Sequence, residues 1–342
     1  MKKFDFCIGN PPYQETTESD STRMPPVYDV FMDAAYSTAN VVELITPARF
    51  LRDAGQTHKS WNEKMLSDEH LKVLYFEPVA AKVFANTDIK GGVAITYHDN
   101  DKRFEPIGVY IPWPELKTIN MKAGAKSVTD SLTDIADSSP TYDLKNLYDD
   151  HPDYVKYVAD NGRHSQLKTN VLNVNPIFTE GKTAVDDLMI YGLVNNKRGF
   201  MYCNSRYIKH DHKSLFKYKV LVPKAAGSGQ LDDTFPNIFV VGPGCGFTQT
   251  YLSIGMFDNE DDAKRLEKYV KTRFCRALLY VYKATQDNLP TAWRAIPKQD
   301  FTAKSDIDWE VSIQDIEKQL YKKYGLSAEE IKFIEDNVKE MI

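Results

Sequence analysis

The chain opens on short apolar runs set between polar turns. Phe4-Asp5-Phe6-Cys7-Ile8-Gly9 reads as a strand ending in a turn, and Met32 to Ala39 as the end of a helix. Val41 to Thr46 (V-V-E-L-I-T) reads as the next strand, closed by Pro47. Trp61 to Leu66 is helical in character, while Leu71 to Phe76 and Gly92 to Tyr97 supply a third and a fourth strand. Strand–helix alternation of this kind predicts an α/β layer with crossover helices. The strands are almost continuously apolar, which predicts that both faces of the sheet are covered.

Near residue 110 the texture changes. Residues 126–165 are polar and rich in Asp, Ser and Thr, as in a linker or a small helical excursion. Strand-like runs return at Tyr218 to Val222, Ile238 to Val241 and Thr250 to Ile254, separated by glycine-rich turns. A helix is predicted from Glu260 to about Tyr282, with Ala263, Leu266, Tyr269, Val270 and Phe274 at helical spacing. Ser327 followed by Glu330 is a capping box, and it opens a last helix with the stripe Ile331, Ile334, Val338 and Met341. No internal repeat is visible. The expected division is therefore 1–110, a connecting segment 111–165, and a second domain over 166–342.

Composition narrows the class. A 342-residue chain with 42% hydrophobic and 27% charged residues is globular, with room for two domains. No apolar run approaches the roughly 20 residues of a membrane span, so no membrane partner is expected. Asp5 stands where a signal peptide would have its apolar core. Cys7, Cys203, Cys245 and Cys275 lie far apart without a C-x-x-C pair, which speaks for a reducing cytoplasm and against a disulfide framework. The seven histidines show no metal-ligand spacing, so no metal is expected. Net charge is −5, yet eight Lys/Arg stand against one acid between Gly192 and Lys224, and nine against two between Lys264 and Lys298. Such runs are either solvated surface or a basic face for a phosphate backbone.

Candidate chemistry sits at Asn10-Pro11-Pro12-Tyr13, directly after the first strand. In open α/β sheets ligands bind at the carboxyl ends of strands. An exocyclic amine on a base is a poor nucleophile because its lone pair is delocalised into the ring. Two acceptors aimed at its hydrogens draw the nitrogen towards tetrahedral geometry and localise that pair. Asn10 offers a side-chain carbonyl and Pro11 a backbone carbonyl, while the two prolines fix φ and hold the acceptors in place. Pro12 shapes the loop, and Tyr13 offers a ring on which an extruded base can stack.

F-D-F-C-I-G-N-P-P-Y resembles the catalytic motif of amino-adenine DNA methyltransferases, particularly the gamma-class enzymes of bacterial type II (IIG-like) restriction–modification systems. Val27 to Met32, Val42 to Leu51, and Lys82 to Phe84 followed by Asp88 to Val93 are similar to the family's following segments, the last being the loop and strand that close its target-base pocket. Phe247-Thr248-Gln249-Thr250-Tyr251 and Tyr321 to Leu326 are similar, more weakly, to its recognition region. The resemblance implies a partial Rossmann-like methyltransferase sheet followed by an α+β target-recognition domain. It implies Asn10, Pro11, Pro12 and Tyr13 as catalytic residues, Phe84 as the second stacking ring, double-stranded DNA as partner and S-adenosylmethionine as cofactor. Arg49, Lys90, Arg198, Arg206 and Lys224 are the candidate DNA contacts.

Members of that family bind the cofactor on a glycine-rich turn after a first strand, and in the gamma class this precedes the tetrapeptide. Only nine residues precede Asn10 here, so the expectation is a half-domain whose first strand is an unpaired edge, completed by a missing N-terminal half or a partner subunit. Val240-Val241-Gly242-Pro243-Gly244-Cys245-Gly246 is the one candidate for a displaced cofactor turn, but a strand-like segment follows it and a hairpin turn is expected. Lys224 to Gly229 lacks the G-K-S/T ending of a phosphate loop. Two other functions stay open. Glu77, Asp88 and Lys90 have the spacing of a magnesium-dependent nuclease, and a specificity subunit without catalysis is the other alternative, although the intact N-P-P-Y favours a chain that contributes catalysis. Ring-carbon methylation of cytosine is disfavoured because the chain has no Pro-Cys pair to supply a thiolate.

Overall fold

A computed structural model describes residues 3–15, 24–87, 89–156, 158, 165–227 and 229–341. The described chain divides into two units, Met1–Lys117 with Tyr280–Thr285, and Thr118–Leu279 with Gln286–Ile342.

In the first unit β1 (Phe4–Gly9) leads through α1 (Tyr28–Thr38) to β2 (Ala39–Pro47), which pairs with β1 in parallel. A parallel neighbour requires a crossover, and α1 is that crossover. After a 3-10 turn over Ala48–Arg52 and α2 (Lys59–Ser67) come β3 (Leu71–Glu77) and β4 (Val93–Asp99). Strand order is β1-β2-β4-β3, with β4 antiparallel to both of its neighbours. Side chains alternate across each strand. Cys7, Val42, Leu44, Leu71, Val73 and Ala94 therefore share one face, where they pack on Met32, Ala35 and Tyr36 of α1 and on Phe50, Trp61 and Met65. Tyr36 stacks on His98 of β4 at 4.1 Å between ring centres, and His98 in turn faces Asp68 at 3.3 Å.

The opposite face corrects an expectation. Phe4, Phe6 and Ile8 point away from α1 and are 59%, 70% and 78% exposed. An almost continuous apolar strand was expected to be covered twice; β1 is covered once. It is also the sheet edge.

The second unit begins within α3 (Pro114–Ala123) and adds β5 (Ala136–Asp137), α4 (Leu144–Asp150) and α5 (Val171–Val174). A hairpin follows, β6 (Leu188–Val194) and β7 (Lys197–Cys203), turned by Asn195 and Asn196 with φ of 49° and 62°. Two left-handed residues in succession suit the right-handed twist of the flanking strands, and asparagine tolerates that region. Next come β8 (Tyr218–Pro223), β9 (Phe239–Val241), β10 (Cys245–Phe247) and β11 (Tyr251–Phe257). They form two small sheets, β10-β6-β7 and β5-β11-β8-β9. The molecule is thus of mixed α/β class, with three small sheets among the described residues.

Two further expectations are corrected here. The helix foreseen from Glu260 to Tyr282 is two helices, α6 (Glu260–Lys271) and α7 (Arg273–Leu279). The break falls at Thr272, whose ψ of 146° is extended and whose hydroxyl accepts from the Cys275 N–H at 3.1 Å, opening the second helix. The glycine-rich turn Gly242–Gly244 is not a hairpin: β9 pairs with β8 and β10 with β6, so it carries the chain from one sheet to the other. After α8 (Ile313–Lys323), α9 (Ala328–Asn337) starts on the foreseen capping box, with both reciprocal hydrogen bonds formed. Ile334 and Val338 are buried on its inner side together with Phe333, and Met341 lies beyond the helix. No helix of the described residues is long and apolar enough to cross a membrane.

Candidate active site

Because β1 and β2 are parallel, their carboxyl ends share one edge of the sheet. Gly9 registers with Leu44, so Asn10 to Tyr13 leave the sheet beside Pro47, the last residue of β2. Antiparallel β4 begins at the same edge, where Val93 registers with Pro47. The Ala48 N–H donates to the Gly92 carbonyl at 3.0 Å and ties the two loops together. Gly92 has φ +78°, and a Cβ there would lie 2.2 Å from the Glu77 carbonyl, so only glycine fits this approach. Three segments far apart in sequence thus meet at one edge: 10–13, 47–49 and 89–92.

The turn after Tyr13 is clasped. Val27 N–H donates to the Tyr13 carbonyl at 3.2 Å, Glu15 N–H donates to Pro25 at 3.1 Å, and Gln14 bridges Pro26. This clasp brings the start of α1 against the tetrapeptide. Between them lies a cavity of about 100 Å³ lined by Tyr13, Gln14, Tyr28, Pro47, Arg49 and Ile89, among others. Tyr28 is buried and wedged between Phe50 and Trp61, and burial pushes its phenol up to about 12. Tyr13 is half-buried; burial pushes its phenol also to about 12, and its hydroxyl is enclosed with no hydrogen-bond partner among the described residues. Both phenols are neutral at any physiological pH. Asn10 and Pro12 are exposed, and Pro11 is half-exposed.

Arg49 lines the cavity between two glycines with positive φ. A Cβ on Gly91 would fall 2.6 Å from its Cγ, and one on Gly55 would fall 3.3 Å from its Cβ. Phe84 stands half-buried in the loop after β3 and is not among the residues that line the cavity; Ile89, from the same loop, is. Lys90 is exposed beside it. Sequence reasoning did not single out Tyr28, Ile89, Gln14 or Pro47. Tyr28, Pro47 and Ile89 fall in segments that were named only for their resemblance, without a role for the single residue. In the nuclease reading, the Glu77 carboxylate accepts from Val79 N–H at 3.0 Å and faces Lys82 at 3.6 Å, whereas Asp88 lies outside the described residues.

In the second unit Arg198 and the main chain of Lys224 both meet Thr250, whereas Arg206 has another partner. Arg198 donates to the Thr250 hydroxyl at 2.7 Å and lies 4.8 Å over the Tyr251 ring, while Lys224 N–H donates to the Thr250 carbonyl. Arg206 is paired with Asp150 at 3.1 Å. The basic run 264–298 is largely spent on internal contacts. Arg265 meets Asp262 and Glu310, Arg273 meets the buried Glu317, Lys298 meets Asp134, and Arg276 is buried against main-chain carbonyls.

A methyl-donor site of the expected kind, a glycine-rich turn between a strand and a helix N-terminus, is not present among the described residues. Its one candidate, Gly242–Gly246, runs from strand to strand. Among the described residues, this turn therefore does not fit S-adenosylmethionine.

No curated protein matches the chain. Two solved structures are similar over most of it at 9% identity. They are the type IIG restriction endonuclease BpuSI (TM-score 0.32, covering 92% of this chain and 48% of that one) and the type IIL restriction–modification enzyme MmeI in complex with DNA (TM-score 0.40, covering 97% and 56%). The chain thus spans about half the length of either enzyme. Residues 1–84, which contain the tetrapeptide, its clasp and the first three strands, match the model of the Eco57I restriction-modification methylase family.

Proposed function

We propose that this chain is the base-holding and DNA-recognising part of a DNA adenine methyltransferase in a restriction–modification system. The observation that carries the reading is the junction of Asn10-Pro11-Pro12-Tyr13 with an aromatic-walled cavity at the carboxyl edge of a β1–β2 parallel pair. A flipped adenine would stack on Tyr13, with Phe84 as the outer ring of the sandwich. Stacking contributes roughly 1–3 kcal/mol, comparable with the few kcal/mol that extrusion from the duplex costs. The amine hydrogens would donate to the Asn10 side-chain oxygen and the Pro11 carbonyl, leaving the nitrogen lone pair localised and exposed to a methyl donor. Both prolines hold these acceptors before substrate arrives, so little reorganisation is needed at the moment of reaction. Arg49, which lines the cavity, and the exposed Lys90 would take a phosphate of the extruded nucleotide. Arg198, Lys224 and Arg206 would contact DNA from the second unit.

The test uses the assembly isolated from its native cells through a tag on this chain. Labelled S-adenosylmethionine and unmethylated bacterial DNA are supplied, and the labelled base is identified after digestion. Label is expected in adenine. Asn10→Ala should lower it at least 100-fold while DNA affinity stays within about twofold, because removing a transition-state acceptor costs roughly 3 kcal/mol or more. Label in cytosine, or full activity in the variant, would overturn the assignment.

A further inference from the structure

The geometry points to the β6–β7 hairpin as an element that reads sequence: its tip enters the major groove of duplex DNA, and Arg198 fixes a guanine there. This deepens the reading above, which gives Arg198 only as a DNA contact, and it rests on the second unit binding duplex DNA.

The tip is built to project. Asn195 and Asn196 join the strands as a two-residue turn with φ of 49° and 62°, and Val194 registers with Lys197 as the first pair behind it. Asn195, Asn196, Lys197 and Arg198 are all exposed, and no acid occurs between Leu188 and Cys203. Farther back the strands are anchored, with Leu188, Ile190, Met201 and Cys203 in a buried core. A two-stranded ribbon fits the major groove, whose depth of about 8.5 Å equals two to three residues of strand rise. That is the length from the pair Leu193 and Arg198 to the turn.

One side chain of the tip is held in a set place. Arg198 donates from an Nη to the Thr250 hydroxyl at 2.7 Å, and its guanidinium lies 4.8 Å over the Tyr251 ring. The Thr250 hydroxyl is hydrogen-bonded in turn to that of the buried Thr248 at 2.9 Å. Gly192 lets β6 pass close to this brace, since a Cβ there would fall 2.5 Å from the Thr248 Cγ2. The turn is tied as well: Asn195 N–H donates to the Asn173 side chain at 2.7 Å.

This bracing separates base reading from phosphate binding. A phosphate needs only a cation within reach, which the exposed Lys197 supplies as a point charge. A base edge needs donors in a fixed plane. Arg198 has five N–H donors and gives one to Thr250, so an edge of its planar fork remains for the O6 and N7 acceptors of a guanine. Because the stack on Tyr251 already fixes the plane, little side-chain freedom is left to lose on binding.

The test selects binding sites without reference to catalysis. The assembly isolated through a tag on this chain is mixed with a pool of duplexes randomised at their centre, and the bound fraction is sequenced. We expect a motif that contains an invariant guanine. Arg198→Ala should lower the preference for guanine at one position by roughly fivefold to 150-fold, the discrimination of one bidentate pair, and leave the other positions unchanged. Arg198→Lys keeps the charge, so it should lose discrimination at the same position while the salt dependence of binding stays as in the wild type. Thr250→Val removes the brace and should weaken the guanine preference at that position alone, by about twofold or more. Lys197→Gln should weaken binding to all duplexes alike. Four outcomes would each overturn the proposal: no enriched motif, a motif unchanged in Arg198→Ala, a loss at a base other than guanine, or a uniform loss across sequences. Methylation of the selected duplex is measured separately. A motif that depends on Arg198, with no label entering adenine, leaves the hairpin assignment standing and removes the methyltransferase reading.

Discussion

Asn10 and Tyr13 are three residues apart, yet the fold treats them oppositely. Asn10 is left in the open at the end of β1, while Tyr13 turns back against the core with its hydroxyl enclosed and unpartnered among the described residues. A buried hydroxyl without a partner is destabilising by about 1–3 kcal/mol, so Tyr13→Phe should leave the chain as stable as before or up to about 1 kcal/mol more stable. Tyr13→Ala should lose roughly 1–3 kcal/mol of packing at this half-buried site. Urea unfolding of the three proteins checks the order, and a phenylalanine variant as damaged as the alanine one would show that the hydroxyl is engaged. The tetrapeptide was legible because its chemistry is contained in four consecutive residues. Tyr28, Arg49 and Ile89 line the same cavity from three other segments, and no local pattern distinguishes a cavity-lining tyrosine in an amphipathic helix from a core one. Arg49 was named as a DNA contact, but its confinement between Gly55 and Gly91 depends on two backbone angles that the sequence does not display.

Among the elements, β1 to β4 were legible to within two residues, since their apolar runs are bounded by glycine, proline or charge. The break between α6 and α7 was hidden because both helices keep their apolar residues in phase across Thr272, and only the backbone shows the interruption. The β6–β7 hairpin went unread although Asn195-Asn196 between two apolar runs is a usable signal. Within β8, Lys219 is fully buried, its ammonium reaching, among the described residues, only the carbonyls of Leu215, Lys217 and Gly242. Burial pulls its pKa down to about 8. The folded pKa lies below the unfolded one of about 10.4, so the unfolded chain holds more protons between these values and the Lys219 contribution to stability rises with pH there. Burial also pushes the nearby Cys245 up to about 11, which acts in the opposite sense over the same range. The measurement is therefore the difference between the wild type and Lys219→Met in urea unfolding at pH 7.5, 8.5 and 9.5. The wild type should gain on the variant by about 2 kcal/mol across that series, and a constant difference would show that Lys219 titrates normally.

At the scale of the whole molecule, charge is distributed more sparingly than the sequence suggested. Of the two basic runs, 264–298 is mostly held in ion pairs and main-chain hydrogen bonds, while Lys197, Arg198, Lys209 and Lys213 of the first run are exposed. Counterion release then predicts different responses to neutralisation. Lys197→Gln or Lys213→Gln should flatten the slope of log K against log salt for duplex DNA by about 0.9 each. Lys271→Gln, in an ion pair with Glu267, should leave it unchanged. Equal effects of all three would show that the second run also faces DNA. The clasp at Tyr13, Gln14 and Glu15 against Pro25, Pro26 and Val27 has a consequence of another kind. It closes the chain on itself immediately behind the tetrapeptide, so Tyr13 is held by main-chain bonds between residues 13–15 and 25–27. Lengthening a closed loop is cheap, about 0.6 kcal/mol for each doubling. A clasp of this kind therefore keeps the tetrapeptide in place at a cost that depends little on the length of the loop it closes.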